Sequence, residues 1–468
     1  QDVDDAEWRE ACARAGVSAA PGLAEALFER RLASAGSGGW SFVHGMLREA
    51  VERRAREGGR WVAWSRACAD VLEAREGARG VAARRVRHLL AAEDPGAATA
   101  CVERAVDELI VAGEFGQANG LVASWDALVS GRTGEDAERL TAMLRLARAR
   151  VLDATEDPAA AVIAEPLEME ARLRSWPEIA AGACMLRANA ERRRGAGRLG
   201  ALLLENAAHE YAALGLRRWE GQARYHLGGL EMETGRFAQA RAQLEEARES
   251  FVVAGHPAGV AVCDHALAHI WMLEGRLDLA RPGLEAARAE FRRLGMRNRL
   301  AGAYEALGDV VRYLGEIDRA EECYREAMAM YDTMDVRPWT APYNLGLVLI
   351  QRGRAAEARP WLDDALAAVG EKPGARTVVV VTQLACLAGD ATAEEWDARL
   401  AEARSLLRAT RRREPDMGLA AELAAQAALQ AGYRERARDA LAIARDQWSG
   451  LGRSAEAKAV EELLGALG

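Results

Sequence analysis

Glycines recur at a nearly constant spacing of 40 residues through the second half of this 468-residue chain, and this repeat limits the possible folds more than any other feature. Gly235 opens the run Gly-Arg-Phe-Ala-Gln-Ala, and similar runs begin at Gly275, Gly315, Gly353 and Gly432. A glycine readily adopts the left-handed backbone conformation that ends a helix and turns the chain. The repeat therefore predicts a turn between two helices at each of these positions.

Small and aromatic residues keep the same register. Alanines lie five and twelve residues after each glycine, and aromatic residues lie sixteen after four of them, at Phe251, Phe291, Tyr331 and Trp448. Gly255, Gly295 and Gly452 close the unit, with Asp335 once in their place. Apolar residues between these positions follow the helical period. Because one helix hairpin cannot bury its apolar face alone, stacked hairpins are predicted. The sequence therefore predicts an all-α fold, a right-handed α-solenoid of helix hairpins.

The repeats resemble tetratricopeptide repeats. Leu227-Gly228, Leu307-Gly308 and Leu345-Gly346 match the Leu-Gly pair of that family's first helix, and the turn glycines and alanines match its other positions. Units of 40 residues rather than 34 are similar to the longer class of bacterial regulators such as the maltose-regulon activator. We expect divergent helical repeats over 96–196, long repeats over 197–374, and distorted and C-terminal repeats with a capping helix over 375–468.

The first 95 residues do not share the period. Two short helices, a turn at Gly36-Ser37-Gly38-Gly39, a short alternating run from Trp40 and a helix near Met46 predict a small winged-helix-like domain. The run over 40–49 resembles a segment of STAND-class signalling ATPases, F-x-F-x-H-x-L-x-R-E, and His88 to Pro95 resembles the next landmark of that class. This resemblance implies an ATP-binding switch, and an effector, N-terminal to residue 1.

Composition excludes several classes of protein. The formal charge is −9 and the arginine clusters are interleaved with acidic residues, which argues against nucleic acid as a partner. No stretch approaches the roughly 18 apolar residues of a membrane span. Seven scattered cysteines without a CxxC pair suit a reducing, cytoplasmic location. Neither Lys372 nor Lys458 lies in a Walker motif, and no nucleophile–base pair is recognisable, so we expect no enzymatic activity and no cofactor.

Two short motifs that could indicate binding sites are better explained as structural features of the helices. The run from Gly195 to Gly200 fits GxGxxG, but a helical stretch rather than a strand precedes it, so it is interpreted as a turn between helices. His265 and His269 share a helix face, but Ala266 stands where the metalloprotease pattern needs glutamate. We therefore expect no metal site there.

The repeat register instead places both histidines on the concave face of the solenoid. The same register predicts a groove whose polar, aromatic and thioether side chains bind a protein, a peptide or a small molecule. These candidate groove residues are Tyr225, Met232, His265, His269, Glu305, Asp309, Arg312 and Tyr343.

The preferred hypothesis is a non-catalytic sensor region of a bacterial STAND-type signalling protein. The effect of binding a partner in the groove would be transmitted to the N-terminal ATPase or effector module. The alternative is a stand-alone repeat scaffold for protein assembly, and a winged-helix transcriptional regulator ranks below both.

Overall fold

The computed structural model describes residues 3–36, 39–75, 80–334 and 336–467. Within these ranges the chain forms twenty-four α-helices, packed in adjacent pairs, and one two-stranded β-hairpin. This confirms the predicted all-α fold of helix hairpins. Ser37 and Gly38 of the predicted turn and Asp335 of the glycine column lie outside the described residues.

Two compact units divide the chain. The first comprises residues 1–266 with 293–296, and the second comprises 267–292 with 297–468, so the division falls inside the predicted 197–374 repeat region. The elements up to the division are α1 Asp5–Arg14, α2 Leu23–Glu29, β1 Ala33–Gly36, β2 Gly39–Phe42, α3 Gly45–Glu57, α4 Trp61–Glu73, α5 Val81–Ala91, α6 Pro95–Val111, α7 Phe115–Val129, α8 Glu135–Ala154, α9 Ala159–Leu173, α10 Pro177–Arg193, α11 Gly197–Ala213, α12 Arg217–Glu233, α13 Phe237–Val253 and α14 Pro257–Leu273.

The second unit continues the same alternation of helices. Its elements after α14 are α15 Leu277–Leu294, α16 Arg297–Tyr313, α17 Ile317–Met334, α18 Thr340–Gln351, α19 Ala355–Val369, α20 Pro373–Leu387, α21 Ala393–Thr410, α22 Pro415–Gln430, α23 Arg434–Gly450 and α24 Ser454–Leu467. From α6 to α23, the even-numbered helices are the first helices of the hairpins and the odd-numbered helices are the second helices.

The N-terminal hairpin is small. Strands β1 and β2 pair antiparallel, with Ala33 opposite Phe42. Trp40 is buried between Trp8 and Phe42, whose rings meet it edge-on with centroids 6.4 and 5.4 Å away. The predicted order of two helices, a hairpin and a helix is present, while the winged-helix assignment stays a prediction.

The repeat positions have the predicted structural roles. Gly235, Gly275 and Gly315 have φ of +74°, +76° and +81°, the left-handed conformation that ends each first helix. The glycine of each Leu-Gly pair marks a close approach, because a Cβ on Gly228 would lie 2.8 Å from Cγ of Leu244. The alanines at Ala240 and its equivalents are fully buried against the partner helix. The run from Gly195 is a helix–helix turn, as predicted.

Some first helices are buried on every side. All residues of α18 from Ala341 to Ile350 are buried, as are all residues of α20 from Thr377 to Leu387. Helix α20 contacts α18, α19, α21 and α22, which explains why its whole circumference is buried. On α18 and α20, the side of the first helices that faces away from the second helices is therefore filled by the chain's own side chains. We call this side of a unit its inner wall.

Candidate ligand-binding surface

Three candidate groove residues lie in the first unit. Tyr225 and Met232 are on α12 and His265 is on α14, and all three are half-buried. The Tyr225 ring packs against a cluster of Ala247, Phe251 and Cys263 and meets the His226 ring edge-on at 5.6 Å. These packed neighbours fix the orientation of Tyr225, which is half-buried as a residue. Part of the surface of Tyr225, Met232 and His265 is therefore exposed within this unit, and a binding role for these residues stays a prediction.

Arg312 lies in the second unit and does not line an open groove. Its side chain on α16 is 3% exposed and forms a bidentate ion pair with Asp416 at the start of α22, with N–O distances of 2.9 and 3.0 Å. Burial is the largest single influence and lowers the pKa of Arg312, but the attraction of Asp416, Tyr324 and Asp309 together with the hydrogen bond to Asp416 leaves that pKa above its ordinary value. The pair therefore joins two first helices that are 104 residues apart along the chain.

Asp309 lies one turn earlier on α16 and belongs to the same polar network. Its carboxylate accepts a hydrogen bond from the Tyr324 hydroxyl at 2.7 Å and one from the Asn344 amide at 3.3 Å. Burial raises the pKa of Asp309 to about 6, against the opposing attraction of Arg312. This carboxylate is therefore held by neighbours on α17 and α18, and the Asp309 side chain is 23% exposed.

Glu305, Tyr343 and His269 complete the second unit's candidates. Glu305 accepts a hydrogen bond from Thr340 at 3.0 Å, and burial raises its pKa to about 7. Tyr343 is 4% exposed and packs against Trp339. His269 on α14 is half-buried, and burial lowers its pKa. Glu305, Asp309 and Arg312 lie on successive turns of α16, and their side chains contact other residues of this unit.

A second buried polar cluster, in the first unit, was missed by the sequence analysis. Arg150 on α8 is 7% exposed, lies 3.2 Å from Glu103 on α6 and stacks over the Trp219 ring of α12 at 3.9 Å. Arg218 on α12 forms an ion pair with Asp107 on α6 at 3.0 Å. The residues over 97–196 match the repeat only faintly, so no register could have placed Glu103 and Asp107 against α12.

Both units thus contain an arginine–aspartate ion pair between distant first helices. In each unit, an arginine–aspartate pair joins first helices that are three hairpins apart, α6 with α12 and α16 with α22; Arg312 is buried, whereas Arg218 is 28% exposed. Burying an ion pair costs desolvation and is tolerated only with good geometry and further hydrogen bonds. Removing Asp416 would leave the buried charge of Arg312 uncompensated, so the closed arrangement of the second unit depends on that pair remaining intact.

The described ranges contain no group of three or more His, Cys, Asp or Glu side chains that could hold a metal ion. Burial raises the pKa of Cys184, Cys263 and Cys386 to about 12, so these thiols are protonated at neutral pH and poorly nucleophilic. No described helix has both the length and the apolar character needed to cross a membrane.

Comparisons with known proteins support the fold. The family model for the tetratricopeptide repeat matches residues 305–375. A Rap protein complexed with competence and sporulation factor aligns with a TM-score of 0.54 at 14% identity, over 79% of this chain and 97% of that one. The apo quorum sensor NprR from B. thuringiensis aligns with a TM-score of 0.50 at 14% identity, over 78% of this chain and 97% of that one.

A weaker likeness involves a STAND protein with a tetratricopeptide repeat sensor from Pyrococcus horikoshii. It has a TM-score of 0.48 at 13% identity and covers 100% of this chain and 63% of that one, which is too low to place this chain in the STAND class. A search of curated proteins by sequence finds no match. The comparisons therefore establish a tetratricopeptide-like fold similar to that of the Rap protein and NprR.

Proposed function

We propose that this chain is a non-catalytic sensing region that binds a protein, peptide or small ligand on the inner walls of its units. The observation that carries the proposal is the accessible surface of α12, where Tyr225 and Met232 are half-buried beside His226. Tyrosine held by packing is a common anchor of binding surfaces, because it buries a large area at a small entropic cost. The likeness in fold to a Rap protein solved with a bound factor supports the same role.

The second unit supplies the element that a ligand could shift. Its inner wall is closed by the Arg312–Asp416 pair, and a closed and an open arrangement would differ in whether that pair is formed. A ligand shifts such an equilibrium only if it binds the open arrangement better than the closed one. A sensing role therefore needs a ligand that compensates the buried Arg312 charge.

The binding surface can be tested with peptides selected from a random display library on the wild-type chain. The Tyr225→Ala, His265→Ala double variant should weaken the selected peptides about tenfold or more, because aromatic anchors dominate interface energies. Its melting temperature should fall by no more than a few degrees, since both side chains are only half-buried. Val252→Ala is the matched control, because Val252 is 55% exposed on the second helix α13. Equal binding by the double variant would reject this surface.

The proposal also includes transmission of a binding signal from the repeats to an N-terminal ATPase or effector. It is supported by the resemblance of residues 40–49 to STAND ATPases and by the exposure of α3, in which Ala55 alone is buried and Met46 is 76% exposed. A helix so poorly packed has an apolar side free for another module. The genomic reading frame preceding Gln1 tests this part: a Walker motif within a few hundred residues supports the sensor, and a start codon immediately upstream supports the scaffold alternative.

A further inference from the structure

A polar cleft of about 210 Å³ lies between α19, α20 and α21 in the second unit. This volume would hold about seven water molecules at ~30 Å³ each, which is enough for a small organic group. The cleft is formed by two second helices and the side of α20 that packs against them, so it is separate from the candidate groove residues. Its lining residues are Arg359, Asp363, Gln383, Cys386, Leu387, Glu395, Ala398, Arg399 and Glu402.

The wall of the cleft contains an unsatisfied hydrogen-bond acceptor. Gln383 is 4% exposed, and its amide nitrogen donates to Oδ1 of Asp363 at 2.7 Å. The Gln383 amide oxygen is buried and has no hydrogen-bond donor among the described residues. A buried acceptor left unpaired costs about 1–3 kcal/mol, so a donor that reached it would be favoured.

Three arginines and three carboxylates surround the cleft, but one of the carboxylates, on the exposed residue Asp363, forms no ion pair among the described residues. Arg359 pairs with Glu395, and Arg376 and Arg399 both pair with Glu402. Asp363 accepts the Gln383 amide but forms no ion pair with any described residue. One carboxylate and one neutral acceptor are therefore adjacent on the cleft wall, and neither is matched by a positive donor.

From this arrangement we infer that the cleft binds an alkylammonium or guanidinium group, with Asp363 balancing the charge and Gln383 accepting an N–H. An ammonium or guanidinium group carries several N–H donors and can serve both acceptors at once. An anion would be repelled by Asp363, and the arginines of the cleft already form ion pairs. The group could belong to a free amine or to a lysine or arginine side chain of a peptide. This inference goes beyond the inner-wall proposal, and either can fail without the other.

The test is ligand-observed NMR of the full chain with n-butylammonium, with 1-butanol as the neutral analogue. Butylammonium should bind saturably and more weakly as salt is added, and 1-butanol should not bind. Asp363→Asn should reduce butylammonium affinity about tenfold or more. The asparagine oxygen can still accept from Gln383, so folding is preserved. Asp364→Asn is the matched control, because it removes the same charge from the next residue, which is exposed and outside the cleft lining.

The source of the cation is distinguished by a second titration with the tripeptide Gly-Lys-Gly. Tighter binding of the tripeptide than of butylammonium indicates a peptide side chain, and equal binding indicates a free amine. Both results support the site if Asp363→Asn abolishes them. Absence of saturable binding to the wild-type chain, or equal binding by Asp363→Asn, overturns the inference.

Discussion

Asp416→Ala removes the carboxylate that neutralises the buried guanidinium of Arg312 in the second unit. The Arg312 side chain is 3% exposed, so water cannot replace the lost partner without opening the inner wall. Breaking a buried ion pair in this way costs about 3–5 kcal/mol. Asp309 lies 3.9 Å from Arg312 and would compensate part of the charge, so we expect the lower end, about 3 kcal/mol.

The loss is measured in a urea titration that follows hydrogen exchange in peptides from α18 and α20, which assigns unfolding to the second unit. With a urea dependence of about 2–3 kcal/mol per M, the midpoint should fall by about 1–1.5 M. Replacing both partners, Arg312→Met with Asp416→Leu, should recover most of this loss, because no charge is then left buried.

An exposed pair in the same unit provides the control. Arg404 and Asp439 lie 2.7 Å apart and are 44% and 33% exposed, so Asp439→Ala should cost about 0–1 kcal/mol. The two aspartate variants remove the same group and differ chiefly in the burial of the arginine. If Asp416→Ala shifts the midpoint no more than Asp439→Ala does, the reasoning about the closed inner wall is refuted.

Three further predictions concern the stability of the second unit. Because burial raises the pKa of Glu305 from its usual 4.5 to about 7, the folded state keeps a proton that the unfolded state has lost. The contribution of Glu305 to stability should therefore fall by at most about 3 kcal/mol as pH rises between these values, and Glu305→Gln should reduce the fall in urea midpoints to the part that Asp309, with its pKa of about 6, contributes. A Cβ on Gly308 would lie 2.5 Å from Tyr324, so Gly308→Ala should cost about 1–3 kcal/mol in thermal unfolding. In contrast, Gly302→Ala on the same helix has space and should gain about 0.5–1 kcal/mol. Arg436 donates to the Ala391 carbonyl at 2.8 Å, and Arg436→Lys should lower stability by about 1–2 kcal/mol, because lysine lacks the planar fork. An unchanged urea midpoint would contradict that assignment.

Much of the fold could be predicted because each repeat position has a local cause. Gly235 and its equivalents need a positive φ, and Gly308 needs space for Tyr324, whatever the rest of the chain does. These requirements recur every 40 residues, so they are visible in one sequence. The region over 97–196 carries fewer of these positions, and there the buried pairs of Arg150 and Arg218 had no visible signal.

The candidate site was predictable only as a set of helix faces. The register correctly placed Asp309 and Arg312 on the first helix α16, but it could not show that Arg312 meets Asp416. Nothing in the residues near Asp416 marks it as the partner of an arginine on another hairpin. The Gln383 cleft was missed for the same reason, because its lining comes from three helices.

The sequence by itself determined that this chain forms helix hairpins with fixed turns and close helix contacts, because glycine conformation and side-chain size act within neighbouring hairpins. The tertiary structure alone decided which inner-wall residues are accessible. In the second unit, Arg312 on α16 meets Asp416 on α22, three hairpins further along the chain, and this pair closes a wall that the repeat register had predicted to be open.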